Sequence, residues 1–411
     1  MPNLIRNVSR RLAWIALIAL AMVPVWAAGK VVLYAATGPQ LTQYDVDVDG
    51  ARLVPRASVT LPDAIQYAWP HPSKPFLYVG WSNGAGANHH GLSALQIDST
   101  GALHLHGDPV TLPARPVHIT VDISGTHVLA AFNDPSGLAV YPIKADGTIG
   151  SRVAEPDGLD FGIYAHQVRV DPSNRMVILV TRGNGPTARK REDPGALKVF
   201  GYKDGILSNR ASIAPHGGYG FQPRHLDFDP QGPWVFVSLE RQSQLEVYKK
   251  LSGDTLSAEP VFTVDSLAID GARRDVQASG TVHVDPRGRF VYQANRAGAT
   301  VRSEGKRVFA GGENSIAVYS VNRETGEPTR IQNADTRGFE PRTFALDPSG
   351  RLLVVANQNA QLVPEGQGVK LVPASLAVFR IRENGTLDFV RKYDVDTKAG
   401  SLFWMGLVPL H

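Results

Sequence analysis

The chain contains no cysteine, which excludes a disulfide framework, a thiolate nucleophile and any cysteine-ligated zinc or iron–sulfur centre. Charge is sparse as well: 19% of the 411 residues are Asp, Glu, Lys or Arg, against roughly 25% in an average soluble domain. Beyond the first 30 residues there is no long apolar stripe of helical period. What is present instead is 43% hydrophobic residues with 40 Gly and 29 Pro. The Gly and Pro are scattered as turn punctuation rather than gathered in one tract, so collagen-like, low-complexity and disordered readings fail. A well-cored, turn-rich globular protein remains.

The N-terminal segment stands apart. Arg6, Arg10 and Arg11 precede an apolar run at 12–25 and the small residues Ala27 and Ala28, the pattern of a signal peptide cleaved after Ala27. Pro24 and the short run argue against a membrane-spanning helix. We expect residues 1–27 to be a signal peptide and 28–411 to be one domain, periplasmic or secreted and free of the membrane after cleavage. Removing the leader takes away three arginines and no acid, so the net charge falls from +4 to +1. Nothing in that balance points to nucleic acid.

A repeat organises the rest. One unit places an Asp-Pro-x-Gly turn, or a variant of it, between apolar runs: WPHPSKPFLYVGWS (69–82), TVDISGTHVLAAFN (120–133), RVDPSNRMVILVTR (169–182), DFDPQGPWVFVSLE (227–240), HVDPRGRFVYQANR (283–296) and ALDPSGRLLVVANQ (345–358). Each reads as a β-hairpin. A second unit, from LTQYDVDVDG (41–50) to LAVFRIRENG (376–385), occurs seven times at a mean spacing of about 56 residues. That length holds four short strands and no helix. Such units cannot bury both faces alone, so they stack radially; the expected fold is an all-β, seven-bladed β-propeller of four-stranded blades. VVLYAATG (31–38) lacks an inner partner, and SLFWMGLV (401–408) is an orphan strand. Pairing these N- and C-terminal strands closes the ring.

Superposing the repeats on the first turn residue brings polar columns together. Eleven residues beyond it stand Ser82, Asn133, Arg182, Glu240, Arg296 and Gln358, with Gly38 in the incomplete blade; five residues before it stand Gln66, Val117, His166, Arg224, Gly280 and Arg342. Radial symmetry gathers both columns at one end of the central channel. One Glu, one His and several Arg converging there form a polar cleft, a candidate site on physical grounds. The long connections at 183–195, 297–314 and 359–374 are placed to roof it, the first two carrying Arg189, Lys190, Arg191, Arg302, Lys306 and Arg307.

At GFQPRHLDFDPQGPWVFVSLERQSQLEVY (220–248), HVDPRGRFVYQANRAG (283–298) and EPRTFALDPSGRLLVVANQ (340–358) the chain resembles the seven-bladed lactonase family, which contains bacterial 6-phosphogluconolactonases and fungal carboxy-muconate cyclases. The resemblance implies an active site of His166, Arg224, Glu240 and Arg296, and ring opening of a lactone or cyclisation of a muconate. A leader sits badly with a cytoplasmic sugar phosphate. The expected reaction is therefore hydrolysis of a small anionic lactone, either a sugar-acid lactone or a carboxylated muconolactone type. In it Glu240 acts as general base with a raised pKa, Arg224 and Arg296 hold the carboxylate and oxyanion, and His166 protonates the leaving alkoxide, or Glu240 and His166 exchange duties. Arg182, Arg342, Gln358, Asn133 and His118, the last beside Val117 in the inner column, are expected to bind substrate. No cofactor is called for, and no metal, because the ring supplies one carboxylate. A serine triad finds no support in a helix-free pattern. A muconate-type cycloisomerase using the same residues and a non-enzymatic binding or scaffold propeller stand as alternatives.

Overall fold

The computed structural model describes residues 30–268 and 277–410; the expected signal peptide lies outside them. Among the described residues seven antiparallel blade sheets follow one another along the chain, with two further two-stranded hairpins. Their innermost strands touch in a closed ring: Ile65–Pro70, Pro116–Val121, Ala165–Val170, Pro223–Phe228, Gln277–Val284, Phe339–Leu346, and Leu402–Pro409, which returns to Ile65–Pro70. We number the blades 2 to 7 in that order. Blade 1 is Val31–Thr37, Gln40–Asp47 and Arg52–Thr60, with Leu402–Pro409 as its inner strand. That strand pairs antiparallel with Val31–Thr37, Val32 opposite Val408 and Ala36 opposite Trp404, so the ring closes by the expected pairing.

Two blades depart from four regular strands. In blade 3 the fourth strand shrinks to an Ile143–Ile149 bridge after Pro142 ends the third; Pro142 has no N–H to extend a ladder. In blade 5 the outer strand is split into Thr255–Leu256 and Phe262–Asp265, both paired to Gln244–Leu251. Among the described residues the one helical element is a 3₁₀ turn, Pro215–Gly218.

The apolar core is divided into wedges, because each blade buries its faces against its neighbours. Among the described residues seven buried clusters fill the seven interfaces; Leu129 and Val140 of blade 3, for example, meet Leu179 and Phe200 of blade 4. Second strands are therefore buried on both faces and read as continuous apolar runs, as in MVILVT of Met176–Thr181. Outer strands such as Leu387–Asp394 are buried only at their first residue and then run half-buried and exposed in near alternation.

The repeated turn residue is a structural cap. Asp171 accepts from the Met176 N–H at 3.0 Å, and Asp347 from the Arg351 N–H at 2.8 Å and the Leu352 N–H at 2.6 Å. His71 replaces the aspartate in blade 2 and does the same with Nδ1, accepting from the N–H groups of Ser73 and Lys74 at 3.1 and 3.0 Å. Adjacent blades are also stapled by tyrosines: the hydroxyls of Tyr34, Tyr78 and Tyr292 donate to the carbonyls of Gly101, Gly147 and Gly385 in the next blade, at 2.7, 3.0 and 3.0 Å.

Tyr292→Phe keeps the ring and strands the Gly385 carbonyl, so it should cost ~1–2 kcal/mol. Urea unfolding checks this; an unchanged midpoint would show that the staple carries no stability.

Candidate active site

Every inner strand carries a bulge at the same place. Its ladder to the second strand skips Gln66, Val117, His166, Arg224 and Arg342, the Gly280–Thr281 pair in blade 6, and Phe403 in the closing strand. A bulged residue leaves the ladder and its side chain is re-aimed. The column five residues before the turn is thus the set of bulge residues, and Phe403 is its seventh member. Blade 6 uses glycine because a Cβ on Gly280 would sit 3.2 Å from Cδ and Nε of Arg296, which occupies that space.

The Glu240 carboxylate is the hub. Arg182 of blade 4 donates from Nη1 to Oε2 at 2.6 Å; Arg224 of blade 5 donates from Nε to Oε1 at 2.9 Å; Arg296 of blade 6 donates from Nη2 to the same oxygen at 2.6 Å. Arg224 is fully buried and Glu240 is 14% exposed. Arg182 stacks over Tyr164 with its carbon 4.2 Å from the ring centre. Arg342 lies over Phe403 at 3.8 Å, and among the described residues no carboxylate is within ion-pair distance of it. Arg115 stands beside the same ring, 5.9 Å from its centre, and donates to Gln66 at 2.7 Å. Five arginines thus face Glu240 and Glu340, and Glu340 is already held by Asn359 at 2.6 Å. The mouth carries excess positive charge.

This arrangement fixes the protonation states. Burial alone would raise the Glu240 pKa, but Arg224, Arg296 and Arg182 outweigh it and hold the carboxyl well below its usual range. The raised value expected of a general base is therefore replaced by its opposite, because three guanidiniums converge on one carboxylate. Burial, then Arg296, pushes Arg342 down to about 9. His166 is held well below the ordinary histidine value by burial and then by Arg224, and its buried Nδ1 has no partner. It is a neutral imidazole at pH 7. His225 stands edge-on to it at 5.2 Å, with its own pKa lowered by burial and by Arg224.

Of the nine residues singled out from sequence, Glu240, Arg182, Arg224 and Arg296 are bonded together, and His166 and Arg342 lie within their field. Asn133 lines a separate cavity of about 200 Å³ with His90 and Arg115. Gln358 donates to Ser401 at 3.4 Å. His118 does not reach the mouth: it is fully buried below His225, packed against Tyr67 at 3.9 Å with both ring nitrogens unpartnered. Arg115, Tyr164, His225 and Phe403 escaped the two columns. Arg115 and Tyr164 share a third column, seven residues before the turn, and His225 lies in the Pro-Arg-His motif.

The long connections become defined structure. Thr300–Ser303 pairs with Lys306–Phe309, and Gln361–Glu365 with Gly368–Val372. These two hairpins touch each other beside blades 6 and 7, with Arg302, Lys306 and Arg307 exposed. In the 183–195 connection, Arg191 joins Tyr219 and Arg241 around a cavity of about 810 Å³. Residues 80–84 have the Gly-x-Ser-x-Gly spacing, against the expectation that serine chemistry has no signal here. Ser82 nevertheless ends a strand that runs into a loop, not a helix; it is 1% exposed and its Oγ lies 2.8 Å from His90 Nδ1. It is placed to fasten that loop.

The family described as "Lactonase, 7-bladed beta-propeller" matches residues 31–364. The chain belongs to this family. The lactonase is 28% identical to the 6-phosphogluconolactonase of Bacillus subtilis (strain 168) over 282 residues, 65% of this chain and 70% of that one. It is also 28% identical to the 6-phosphogluconolactonase of Pectobacterium carotovorum subsp. carotovorum (strain PC1) over 305 residues, 74% of this chain and 80% of that one. Among solved structures, the periplasmic gluconolactonase of Pseudomonas aeruginosa superposes with a TM-score of 0.66 at 20% identity, covering 92% of this chain and 99% of that one. A putative 6-phosphogluconolactonase from Bacteroides fragilis gives 0.67 at 18%, covering 94% and 99%. Family and relatives make this protein a lactonase-type hydrolase. Among its described residues no helix is long and apolar enough to cross a membrane.

Glu240, His118, His166 and His225 all bind their protons more weakly folded than unfolded, so protonation favours the unfolded chain. Stability should fall as the pH drops below about 6.5, the unfolded histidine value, and fall more steeply below about 4.3, that of glutamate. Urea unfolding across pH 7 to 4 measures this, and Glu240→Gln should make the steeper limb shallower, Asp122 and Asp227, also held low, supplying the rest. A flat profile would contradict these ionisation states.

Proposed function

We propose that the lactonase opens a small anionic lactone, of the sugar-acid or carboxylated muconolactone type, after export to the periplasm or beyond. The observation that carries this reading is the surplus of guanidinium at the mouth: three arginines share one carboxylate while Arg342 is left without one. Preorganised cations of this kind bind a substrate carboxylate and meet the charge that develops on a carbonyl oxygen. The curated 6-phosphogluconolactonases it resembles support the reaction class, and the leader-like N-terminus supports export.

The roles follow from the protonation states. Glu240, held ionised, orients Arg182, Arg224 and Arg296 and is too weak a base to activate water. His166, neutral and beside them, takes a proton from water as the oxygen adds to the lactone carbonyl. Arg342 and Arg296 stabilise the resulting oxyanion. When the ring C–O bond breaks, the alkoxide takes that proton back from His166, leaving a hydroxy acid. Burial and Arg224 are what keep His166 unprotonated, so a bound anion that offsets the arginine charge raises its basicity at the moment it is needed. His166 thus carries both proton transfers that the sequence reading divided between it and Glu240, and Glu240 carries neither.

The test is proton release at neutral pH from mature protein given a panel of sugar-acid and carboxylated lactones. His166→Gln should lower kcat by roughly 10²-fold or more, and Arg342→Ala should lower kcat/KM by about 10²–10³-fold. The acid limb of kcat/KM should lie below the ordinary histidine pKa of about 6.5. Full activity in His166→Gln would overturn the role of base. Silence across the panel, or a product other than the ring-opened acid, would overturn the substrate class.

A further inference from the structure

A second cavity, of about 320 Å³, opens at the other end of the channel. It is lined by the C-terminal halves of four inner strands and the turns beyond them, including Trp69, His283, Leu346 and Leu407. The bulge residues of the active site lie near the start of those strands. At about 3.3 Å per residue, the five positions from bulge to turn separate the two mouths by ~16 Å.

The walls of this cavity differ in kind from the active site. Tyr67 and Trp69 stack with centroids 6.4 Å apart and planes 20° from parallel, and Trp404 stands edge-on to Tyr67 at 6.2 Å. On the facing side His283 stands edge-on to buried Phe344 at 5.0 Å. The charges nearby are spent on one another. Arg169 lies over Trp69 at 5.1 Å and pairs with Asp227 at 2.8 Å, while Asp227 also holds the Val284 N–H at 3.1 Å and His283 Nδ1 at 3.4 Å. Asp347 is committed to its turn. Among the described residues that line the cavity no free cation invites an anion. Nε2 of His283, the hydroxyl of Tyr67 and the indole N–H groups of Trp69 and Trp404 carry no hydrogen bond among the described residues, whereas the hydroxyl oxygen of Thr343, also without a partner, is closed off from the cavity by burial.

We propose that this mouth binds a neutral monosaccharide in its six-membered ring form, independently of the catalytic end. The C–H face of such a ring is weakly positive and suits the negative face of Trp69 and Tyr67, while its hydroxyl edge suits Nε2 of His283. A purely apolar ring would leave that nitrogen unused, and a sugar acid would find no partner for its charge. The volume sits at the small end of small-molecule sites, room for one ring rather than a chain.

Saturation-transfer NMR on the mature protein with D-glucose and D-galactose tests this, with gluconate and cyclohexanol as comparison ligands. Saturable binding of a neutral sugar in the millimolar range is expected, tighter than that of either comparison ligand. Ala345→Phe, which fills the cavity, should abolish it. His283→Phe is similar in size and keeps the test alive should the first variant fail to fold; it should weaken binding about fivefold, the worth of one hydrogen bond. Arg182→Ala, at the catalytic end, should change nothing. The proposal is overturned by no saturable signal up to about 50 mM (about −1.8 kcal/mol), by a folded Ala345→Phe that still binds, by cyclohexanol binding as well as sugar, or by loss in Arg182→Ala, which would assign the sugar to the other mouth.

Discussion

One carboxylate, that of Glu240, joins three blades. Arg182, Arg224 and Arg296 come from blades 4, 5 and 6, at 2.6–2.9 Å from its two oxygens, and Arg224 lies fully buried beneath it. Three guanidiniums cannot be packed this closely without an anion between them, because their mutual repulsion grows as water is excluded. Glu240 is what permits the cluster, and the cluster in turn decides the ionisation of everything near it. It keeps the carboxylate ionised and His166 neutral, and among the described residues it leaves Arg342 with no carboxylate in ion-pair reach.

The propeller makes that cluster possible by a repeated local defect. A regular inner strand would alternate its side chains between the two faces of the sheet. The bulge in each blade breaks that alternation once, at the residue that must face the mouth. His166, Arg224, Arg342 and Phe403 are therefore brought to one small circle by the same backbone device, and differ only in the side chain each blade supplies. Stability resides elsewhere, in the apolar wedges between blades and in the aspartate-capped turns, so the residues on the circle are free to be chosen for chemistry.

Much of this was legible from the chain itself. The period of about 56 residues announced seven blades, the orphan strand at 401–408 announced the closure, and two aligned columns delivered Glu240, Arg182, Arg224, Arg296, His166 and Arg342. Other features were not legible, for definite reasons. Phe403 belongs to a blade whose strands lie at opposite ends of the sequence, so no repeat copy displays it in register. Arg115 and Tyr164 precede the strands and fall outside both columns. His118 occupies a promising position in sequence, but the bulge beside it turns it inward against Tyr67. The largest departure concerns the pKa of Glu240: a lone carboxylate in a cleft suggests a raised value, and only the three short contacts to it show what holds it low.

The central claim is that the arginine cluster holds His166 neutral and Glu240 ionised in the resting protein. It is tested most directly by ¹⁵N NMR of the histidine side chains in the mature protein between pH 5 and 8, with His166 assigned by difference from His166→Gln. The account predicts that the His166 ring nitrogens keep the shifts of a neutral imidazole throughout that range. A His166 that titrates near or above about 6.5, the value of a free histidine, would contradict it.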